Sequence, residues 1–536
     1  MIKNNKIFLF LFVVIGLLVI IPANFTITDS AYENTHTFLQ VSQDQEYVWN
    51  KTWGAEFLND EGAGIALDSD GNVYVTGFTE SVGLLDMVLV KYDSDGEEQW
   101  FETWGGSEVD FGYGIAIDNV NNIYVSGTTA SFDLGNGDIF WAKYNNAGVQ
   151  QWNNTWGDTD IDGASRIATD TLGNVYVTGF TMSFGAGGND LVIIKFNGAN
   201  GVIEWNYTWG GGGFDVGYDV VVDSLNNVYV GGVTKFGAGG NDAVLVKYNS
   251  AGIQQWNHTW GGAQYDECYG LALDSSDNIY MTGYTMSSGA GSEDCCIVKY
   301  DSTGTELWSH TWGGTSIDIG YAVYVDSSDN VYVTGKSLSF GALSYDIFLT
   351  KYSSTGVSQW NKSWGTAGVD SARDIVIDDT DSIFIGGFTD PEGTGDADLV
   401  LLKYLLDLDD PIVTISSPSS GSRWGITPPD YDISITEQNL KSAWYTVDAI
   451  LTTYPVPIPQ LSGTINQGAW EAAPYGTINI TFYAEDLLGH IGSDSVNIEK
   501  IEPSEPTIVG YHIVILVGMI GTIGVITTYS VKRKLK

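Results

Sequence analysis

A pair of tryptophans set four residues apart recurs seven times in this chain, at intervals of 51 to 53 residues. The first copy reads WNKTW (49–53) and the third reads WNNTW (152–156). A period of this length is typical of chains built from repeated supersecondary units, each too small to bury a hydrophobic face alone. The repeat therefore limits the middle of the chain to an architecture in which neighbouring units complete one another's cores.

Each repeat contains four short strand patterns and no helical periodicity. In the third copy, residues 165–170, 174–181, 190–196 and 205–210 alternate apolar and polar residues or form short apolar runs, with turn residues between them. We name these strands a, b, c and d in chain order. Four strands repeated seven times predict an all-β, seven-bladed β-propeller, because radial repetition leaves only short, protected sheet edges.

The phase of the repeat predicts how such a ring closes. The array begins with strand d alone, at 47–54, and ends with strands a, b and c alone, at 373–404. We therefore expect the N-terminal strand to complete the last blade as its outer strand. Residues 45–404 then form one domain.

The repeated unit resembles a known repeat family. D-x-G-x-x-I-A-x-D-x-x-x-N-x-Y-V-T-G, followed by D-x4-K-Y and W-x3-W-G, is similar to the SBBP class of seven-bladed β-propeller repeats. The departures are small, such as Phe196, Ser382 and Phe384 in place of the usual Tyr, Asn and Tyr. The resemblance implies the fold and a place among prokaryotic surface and secreted proteins. It implies little about activity, because propellers host many unrelated functions.

The composition changes after the array. Residues 411–500 are richer in Pro, Ile and Ser and contain several strand patterns, which predict a β-sandwich of immunoglobulin or fibronectin type. The stretch at 483–498 resembles the closing hairpin of bacterial Ig-like modules. We expect this region to serve as a stalk, followed by a polar linker at 501–507.

The two ends of the chain predict its compartment. Residues 1–24 have the layout of a signal peptide or signal anchor, with lysines before an apolar run. Residues 508–529 form an uncharged apolar stretch long enough to span a bilayer as a transmembrane helix. The basic residues at 530–536 should remain in the cytoplasm. The sequence thus predicts a single-pass protein of the cell membrane with an extracellular N-terminal ectodomain.

The charge balance restricts the partners. The formal net charge is −44, so the chain has little cationic surface with which to displace counterions from nucleic acid. Hydrophobic residues make up 43% and aromatic residues 13%, enough for a folded core. Three cysteines, Cys268, Cys295 and Cys296, are either small buried side chains or a local disulfide.

Three aspartates and one lysine recur at fixed places in all seven units. The first aspartate precedes strand a, as Asp60, Asp110, Asp162, Asp215, Asp266, Asp318 and Asp370. The second ends strand a, as Asp68, Asp118, Asp170, Asp223, Asp274, Asp326 and Asp378. The third begins strand c, as Asp86, Asp138, Asp190, Asp242, Asp294, Asp346 and Asp398. The lysine lies in strand c, as Lys91, Lys143, Lys195, Lys247, Lys299, Lys351 and Lys403.

The direction of each strand predicts on which face of the ring these charged residues lie. Strands a and c run the same way, so the second aspartate and the lysine share one face of the ring. An unpaired lysine within an apolar strand is costly, so we expect each lysine to pair with a second aspartate of its own or the adjoining blade. We interpret the aspartates as caps of turns and loops. Calcium bound by oxygen ligands such as Asp68, Asp70 and Asn72 is the alternative, although this loop lacks the length of an EF-hand.

The tryptophans and the sequons between them have separate roles. The tryptophans occur in all seven units, which favours packing between blades; the second of each pair is Trp53, Trp104, Trp156, Trp209, Trp260, Trp312 and Trp364. The sequon occurs in only five units, so the fold does not need it. The candidate glycosylation sites are Asn50, Asn153, Asn206, Asn257, Asn361 and, after the array, Asn479.

The function is predicted to be recognition or adhesion, with an extracellular protein or glycan as the ligand. The expected site is the face that carries the d–a and b–c loops, around the mouth of the channel, because these loops vary most between units. Candidate ligand-contacting residues there are Phe184, Phe236, Tyr265, Phe340 and Tyr345. The sequence contains no nucleophile elbow and no histidine metal motif, so we expect no enzyme, no catalytic residue and no cofactor. An extracellular enzyme acting on polysaccharide or peptide and a structural part of the cell envelope are the alternatives.

Overall fold

The computed structural model describes residues 47–503, apart from 56–57, 81–83, 133–134, 238, 342–343, 392, 406–409, 438–439, 448–455, 459 and 487–489. The segments predicted as a signal (1–24) and as a membrane helix (508–529) lie outside the described residues. Within the described part of the chain, no helix is long and apolar enough to cross a membrane.

Strands account for almost all regular structure between residues 47 and 405. The first thirteen are β1 (Tyr47–Trp53), β2 (Asp60–Leu67), β3 (Val73–Thr79), β4 (Asp86–Tyr92), β5 (Glu98–Trp104), β6 (Asp110–Ile117), β7 (Ile123–Thr129), β8 (Asp138–Tyr144), β9 (Gln150–Trp156), β10 (Asp162–Thr169), β11 (Asn174–Thr181), β12 (Asp190–Asn197) and β13 (Ile203–Trp209). The next fifteen are β14 (Val216–Val222), β15 (Val228–Thr234), β16 (Asp242–Tyr248), β17 (Gln254–Trp260), β18 (Asp266–Leu273), β19 (Ile279–Thr285), β20 (Asp294–Tyr300), β21 (Glu306–Trp312), β22 (Asp318–Val325), β23 (Val331–Ser337), β24 (Asp346–Tyr352), β25 (Ser358–Trp364), β26 (Asp370–Ile377), β27 (Ser382–Thr389) and β28 (Asp398–Leu405).

These strands form seven four-stranded antiparallel sheets. Sheets 1 to 6 each contain four consecutive strands, beginning with β2, β6, β10, β14, β18 and β22. Sheet 7 contains β26, β27 and β28, and β1 completes it. The a strands of neighbouring sheets contact one another in sequence, and β26 contacts β2, so the described sheets form a closed ring with strand a innermost.

The predicted closure is confirmed by the pairing of β1 with β28. The register runs from Trp49 opposite Lys403 to Trp53 opposite Leu399. The first strand of the array thus hydrogen-bonds to the last one, and residues about 350 positions apart in sequence hold the ring together.

The paired tryptophans of strand d lie between sheets. Trp100 and Trp104, at the outer edge of sheet 1, pack against a core that includes Ile115 and Phe140 of sheet 2. The c–d turn of sheet 1 approaches Trp49 of sheet 7 so closely that a Cβ on Gly96 would lie 2.6 Å from the indole ring. The predicted packing of these tryptophans between sheets is therefore what the structure shows.

The first aspartate of each unit is buried and ties loops together. All seven of these side chains are 0% exposed. In sheet 2, Asp110 accepts hydrogen bonds from the Gly106 N–H (2.9 Å), from Ser131 Oγ (2.6 Å) and from the Thr129 hydroxyl. The carboxylate thereby joins the d–a loop to the end of strand b, as the capping interpretation predicted. No group of three or more candidate metal ligands occurs in the described ranges.

The second aspartate is held mainly by its own hairpin. Asp170 accepts from the N–H groups of Leu172 and Asn174, from Asn174 Nδ2 (2.7 Å) and from the Tyr176 hydroxyl (3.0 Å). Five other units repeat the Asn and Tyr bonds. In sheet 7, which has Ser382 and Phe384 instead, Asp378 accepts from Thr380 and from the Ser382 N–H.

The predicted lysine–aspartate pairing occurs as a salt bridge in two sheets. Lys299 Nζ lies 3.0 Å from Asp274, and Lys91 Nζ lies 3.7 Å from Asp68. The partner shared by all seven lysines is the strand b aromatic ring, at 4.7 to 5.6 Å. Several lysines also donate to a carbonyl in the c–d turn of the next sheet, as Lys143 does to Gly198 at 2.9 Å. The lysines thus stabilise contacts between sheets through cation–π and main-chain bonds.

The remaining described chain forms a second group of strands. They are β29 (Ile412–Ser417), β30 (Arg423–Trp424), β31 (Asp430–Thr436), β32 (Leu440–Val447), β33 (Val456–Pro457), β34 (Ser462–Thr464), β35 (Gly476–Asp486) and β36 (Ile491–Lys500), with one short helix, α1 (Gln467–Ala472). One sheet has the order β29-β31-β34 and the other β30-β36-β35-β32-β33. Tyr431, Phe482 and Trp470 belong to one core that draws on both sheets and the helix. The immunoglobulin or fibronectin assignment stays a prediction.

Deleting residues 45–55 should destabilise the ring, because sheet 7 loses its outer strand and the packing of Trp49 and Trp53. We expect a loss of about 5 kcal/mol, because each of these half-buried tryptophans should contribute less than a fully buried aromatic side chain, at about 3–5 kcal/mol. Differential scanning calorimetry of the full chain and the deletion measures it. Asn50→Gln, at an exposed position of the same strand, is the control and should leave the thermal midpoint unchanged. An unchanged midpoint in the deletion would disprove closure through β1.

Asp170→Asn should also lower stability, because the amide NH2 then faces the hydrogen-bond donors Asn174 and Tyr176. We expect a loss of about 2 kcal/mol, typical of bonds to a charged acceptor. Chemical denaturation measures the free energy of unfolding, and Asp160→Asn, at an exposed position in the loop before β10, serves as the control. Equal stability of the two variants would contradict the role of the hairpin network.

Candidate functional site

A cavity of about 680 Å³ lies in the centre of the ring, and we call it the chamber. Its lining includes residues from strand a of all seven sheets and, from strand b, Phe78, Thr128 and Phe180. These residues come from the start of strand a and the end of strand b. The chamber therefore occupies the side of the ring that carries the d–a and b–c loops, where the sequence predicted the functional face.

A β-bulge at the same place in every a strand directs side chains into the chamber. Counted from the first aspartate of each unit, the pairing of strands a and b shifts register between the third and fifth residues of strand a in all seven sheets. A bulged residue has no partner in the ladder, and bulges commonly redirect a side chain towards a site. The fourth residues all line the chamber; they are Ala63, Tyr113, Ser165, Tyr218, Tyr269, Tyr321 and Arg373.

Eight of the 18 residues that line the chamber are aromatic. The rings of Tyr218, Tyr269 and Tyr321, on sheets 4, 5 and 6, follow one another with centroids 4.9 and 5.3 Å apart. On the other side, Phe111 lies edge-on to Phe78 at 5.1 Å. Contacts at these separations are favourable between aromatic rings, so the two walls are held in place before any ligand arrives.

The next residue of strand a, the fifth, lies deeper in the channel. It is glycine or alanine in four sheets, and in the other three it is Arg166, Asp219 or Asp374. Arg166 crosses the channel and donates from Nη1 to the carbonyls of Ala63 (2.9 Å) and Tyr113 (2.6 Å). Its Nη2 donates to the Arg373 carbonyl at 2.9 Å and lies 3.7 Å from Asp374 Oδ2. One guanidinium thus links sheet 3 to sheets 1, 2 and 7.

The two aspartates at this level join neighbouring sheets. Asp219 of sheet 4 accepts from the Leu271 N–H of sheet 5 at 2.7 Å. Asp374 of sheet 7 accepts from the Ile65 N–H of sheet 1 at 3.1 Å. Burial raises the pKa of Asp219 to about 7, while Arg166 acts in the opposite direction. Burial also raises the pKa of Asp374, and Arg166 again opposes the shift.

Charged groups stand above this layer, nearer the loops. The Arg373 guanidinium lies over the rings of Tyr321 (4.8 Å) and Phe388 (5.2 Å). Lys336 Nζ lies 5.6 Å from the same Tyr321 ring. Burial raises the pKa of Glu61, which lines the chamber on sheet 1, and the charge of Arg373 partly offsets this.

The five predicted ligand-contacting residues lie around the chamber without lining it. Three pack on the second tryptophan of a strand d pair: Phe184 on Trp156 (4.9 Å), Phe236 on Trp209 (5.8 Å) and Phe340 on Trp312 (5.1 Å). The other two, Tyr265 and Tyr345, each lie beneath a lysine, Lys235 and Lys336 respectively. The structure therefore gives these side chains ring or lysine contacts, and Phe184, Phe236, Tyr265 and Phe340 remain 40 to 60% exposed.

Sequence reasoning missed the bulge residues and the charged layer. A signal was available, since the fourth residue of strand a ranges over Ala, Tyr, Ser and Arg within an otherwise regular repeat. The sequon asparagines of the five d strands are exposed on the outer strand, and Asn479 is half-buried. The three cysteines are buried thiols without a disulfide, and burial raises the pKa of Cys295 to about 12.

Three segments of the ring, 54–81, 99–135 and 259–289, match the SBBP β-propeller repeat family. The chain contains SBBP-type β-propeller repeats. Among curated proteins, it is 28% identical over 128 residues to the uncharacterized WD repeat-containing protein L264 of Acanthamoeba polyphaga mimivirus, covering 20% of this chain and 9% of that protein. It is 26% identical over 164 residues to the regulatory protein FlaEY of Caulobacter vibrioides, covering 26% of this chain and 17% of that protein. The chain thus spans less than a fifth of both relatives.

Solved structures also resemble the SBBP-repeat chain. The extracellular domain of a one-component system protein from B. thetaiotaomicron is 12% identical, with a TM-score of 0.41, covering 84% of this chain and 59% of that one. PorZ of Porphyromonas gingivalis, a surface component of the type-IX secretion system, is 10% identical, with a TM-score of 0.42, covering 81% and 59%.

The raised pKa of Asp219 predicts a pH dependence of stability. An acid whose folded pKa exceeds its unfolded value binds a proton more readily when folded, so its contribution falls as the pH rises from about 4 to about 7. Asp219→Asn removes this group, so the difference in bound protons between the folded and unfolded chain should fall by up to one. The slope of the free energy of unfolding against pH should therefore change by at most about 1.4 kcal/mol per pH unit. Urea unfolding between pH 5 and 7 measures it.

The control for this experiment is Asp432→Asn, at an exposed position of β31. It should leave the slope of the wild-type chain unchanged. An identical slope in Asp219→Asn would mean that this carboxyl group is ionised throughout the range.

Proposed function

We propose that the chain is a membrane-anchored cell-surface protein in which a seven-bladed β-propeller recognises an extracellular ligand. In this proposal the propeller is carried on the Ig-like stalk at 411–500 and anchored through 508–529. The ligand is a protein or a glycan, and it enters the chamber in the centre of the ring.

The observation that carries the proposal is that the units differ at the bulge position of strand a. The aspartate that begins strand a and the aspartate that ends it are the same in every sheet. The bulge residue between them is Tyr in four sheets and Ala, Ser or Arg in the other three, and all seven bulge residues line the chamber. A frame that repeats for stability and varies where side chains meet a cavity is the arrangement expected of a binding site on a rigid scaffold.

The hydrogen bonds of the two aspartates in the channel favour binding over catalysis. Asp219 and Asp374 accept hydrogen bonds from main-chain amides of neighbouring sheets and face Arg166. Both carboxylates therefore have structural partners. A role as an envelope lattice would use the outer surface of the ring and would leave the aromatic chamber without a purpose.

Replacing Tyr269 by alanine should weaken ligand binding about 30-fold, the effect of losing a central aromatic contact of about 2 kcal/mol. The full chain in detergent is applied to glycan and protein arrays, and the ligands found are titrated by calorimetry. The matched control is Phe236→Ala, in a loop outside the chamber. Both variants should melt within a few degrees of the wild type.

The two variants separate the alternatives. Weaker binding by Phe236→Ala with full binding by Tyr269→Ala would place the site in the loops and contradict the chamber. Ordered self-assembly of the full chain, with no ligand on either array, would favour the lattice.

A further inference from the structure

Arginine is rare in this chain and concentrated in the channel. The whole sequence contains four arginines against a net charge of −44, and two of them, Arg166 and Arg373, line the chamber. Arg166 is committed to three carbonyls. Within the described residues, the Arg373 guanidinium has no salt bridge and donates no hydrogen bond; its contacts are the faces of Tyr321 and Phe388. A stacked arginine with all its N–H groups available is pre-organised for an oxyanion.

A second cation stands beside it. Lys336 shares the Tyr321 ring with Arg373, at 5.6 and 4.8 Å from its centroid. Lys336 likewise forms no salt bridge with any described carboxylate; its other close contact is the ring of Tyr345. The two cations repel each other at this separation, and a bound anion would relieve that repulsion.

The wall that contains Tyr321 supplies apolar faces and hydroxyl groups together. The rings of Tyr218, Tyr269 and Tyr321 form a continuous surface. The hydroxyls of Tyr113, Tyr218 and Tyr321 have no hydrogen-bond partner among the described residues, although each side chain is half-buried. These hydroxyls are therefore available to the polar edges of a ligand, beside the apolar faces of the rings.

We propose that the chamber binds an acidic saccharide, whose carboxylate contacts Arg373 and Lys336 and whose ring packs on Tyr269 and Tyr321. This inference rests on the proposed function, since it names the ligand class of the same chamber. A pyranose ring has apolar faces for aromatic side chains and hydroxyl edges for the tyrosine hydroxyls. A uronic acid adds the carboxylate that matches the two cations.

An acidic peptide fits the chamber less well. A peptide needs main-chain partners for its own amide and carbonyl groups. The bulge carbonyls of Ala63, Tyr113 and Arg373, which could serve as such partners, already accept from Arg166. The chamber therefore offers side-chain hydroxyls and rings in place of a main-chain edge.

The test uses the full chain in detergent, titrated with uronic-acid oligosaccharides of two to four sugars, from pectin, alginate and hyaluronan. At least one should bind saturably, and its methyl ester should bind at least about 10-fold more weakly, because a neutral ester cannot pair with Arg373. Arg373→Gln should weaken binding by at least about 10-fold and Lys336→Gln by about 3-fold. Arg423→Gln, which replaces an exposed arginine of the second group of strands, is the matched control and should bind normally.

Glu61→Gln should raise the affinity for the acidic saccharide, whereas Arg373→Gln and Lys336→Gln should lower it. Glu61 lines the chamber near Arg373 and repels an anion there, so its neutral variant should bind the acidic saccharide about 3-fold more tightly. Loss of folding could lower affinity in any variant, but it could not raise it.

Three outcomes overturn the inference: equal binding of acid and ester, full binding by Arg373→Gln, or binding of hexaglutamate but of no uronic-acid saccharide. An array ligand that needs Tyr269 but not Arg373 would leave the proposed function standing and refute the ligand class. An array without any ligand that needs Tyr269 would refute the proposed function itself.

Discussion

Each sheet of the ring has apolar faces that only its neighbours can cover, and this constraint determines the rest of the structure. The core between sheets 1 and 2, for example, takes Tyr74 and Leu89 from one sheet and Val125 and Phe140 from the next. Burial of apolar surface is the main favourable term in folding, so an array with two open ends would leave two such faces in water. Because β1, from the start of the array, pairs with β28 and completes sheet 7, the ring closes and neither face is left open.

The buried aspartates allow the inner strands to differ from one another. Each first aspartate satisfies loop amides and a strand b hydroxyl, so the d–a loop is fixed without help from the middle of strand a. The glycine after each second tryptophan is part of the same arrangement. A Cβ on Gly157 would lie 2.0 Å from Asp138 and 2.7 Å from Asp162, so only glycine lets the two carboxylates approach the chain there. The first aspartate thus holds the start of strand a and the second aspartate holds the hairpin at its end, so the bulge residue between them is free to vary.

The periodicity of the sequence was sufficient for the fold of the ring but not for its chamber. The tryptophan spacing and the lone strand d at the start of the array led to four-stranded units and to the pairing of β1 with β28. The variation at the fourth position was visible in the sequence, but the bulge that directs this position into the chamber was not, because a register shift of one residue changes which side chains face a given side. The pattern therefore did not show that Tyr113, Tyr218 and Arg373 share one surface.

The loop residues and Arg166 illustrate the same limit. Phe184 and Phe236 were chosen because their loops vary, and each ring packs on a tryptophan of the neighbouring strand d while remaining exposed, at 40% and 60%. Arg166 was missed, since its partners are main-chain carbonyls on three other sheets. Every residue has such a carbonyl, so the sequence does not show which of them accept a hydrogen bond from Arg166. Such a residue can be identified only when the ring brings its side chain and the acceptor carbonyls together.

The charged layer under the chamber connects stability with recognition. Arg166 carries one positive charge between two carboxyl groups, so the layer is negative when Asp219 and Asp374 are both ionised and neutral when Asp219 holds a proton. An anion held at Arg373 lies above this layer and is repelled less by the neutral form. Because coupling between sites is reciprocal, a bound anion would in turn favour the protonated form of Asp219. The same carboxyl group that joins sheet 4 to sheet 5 through Leu271 would then also adjust the electrostatic potential of the chamber near neutral pH.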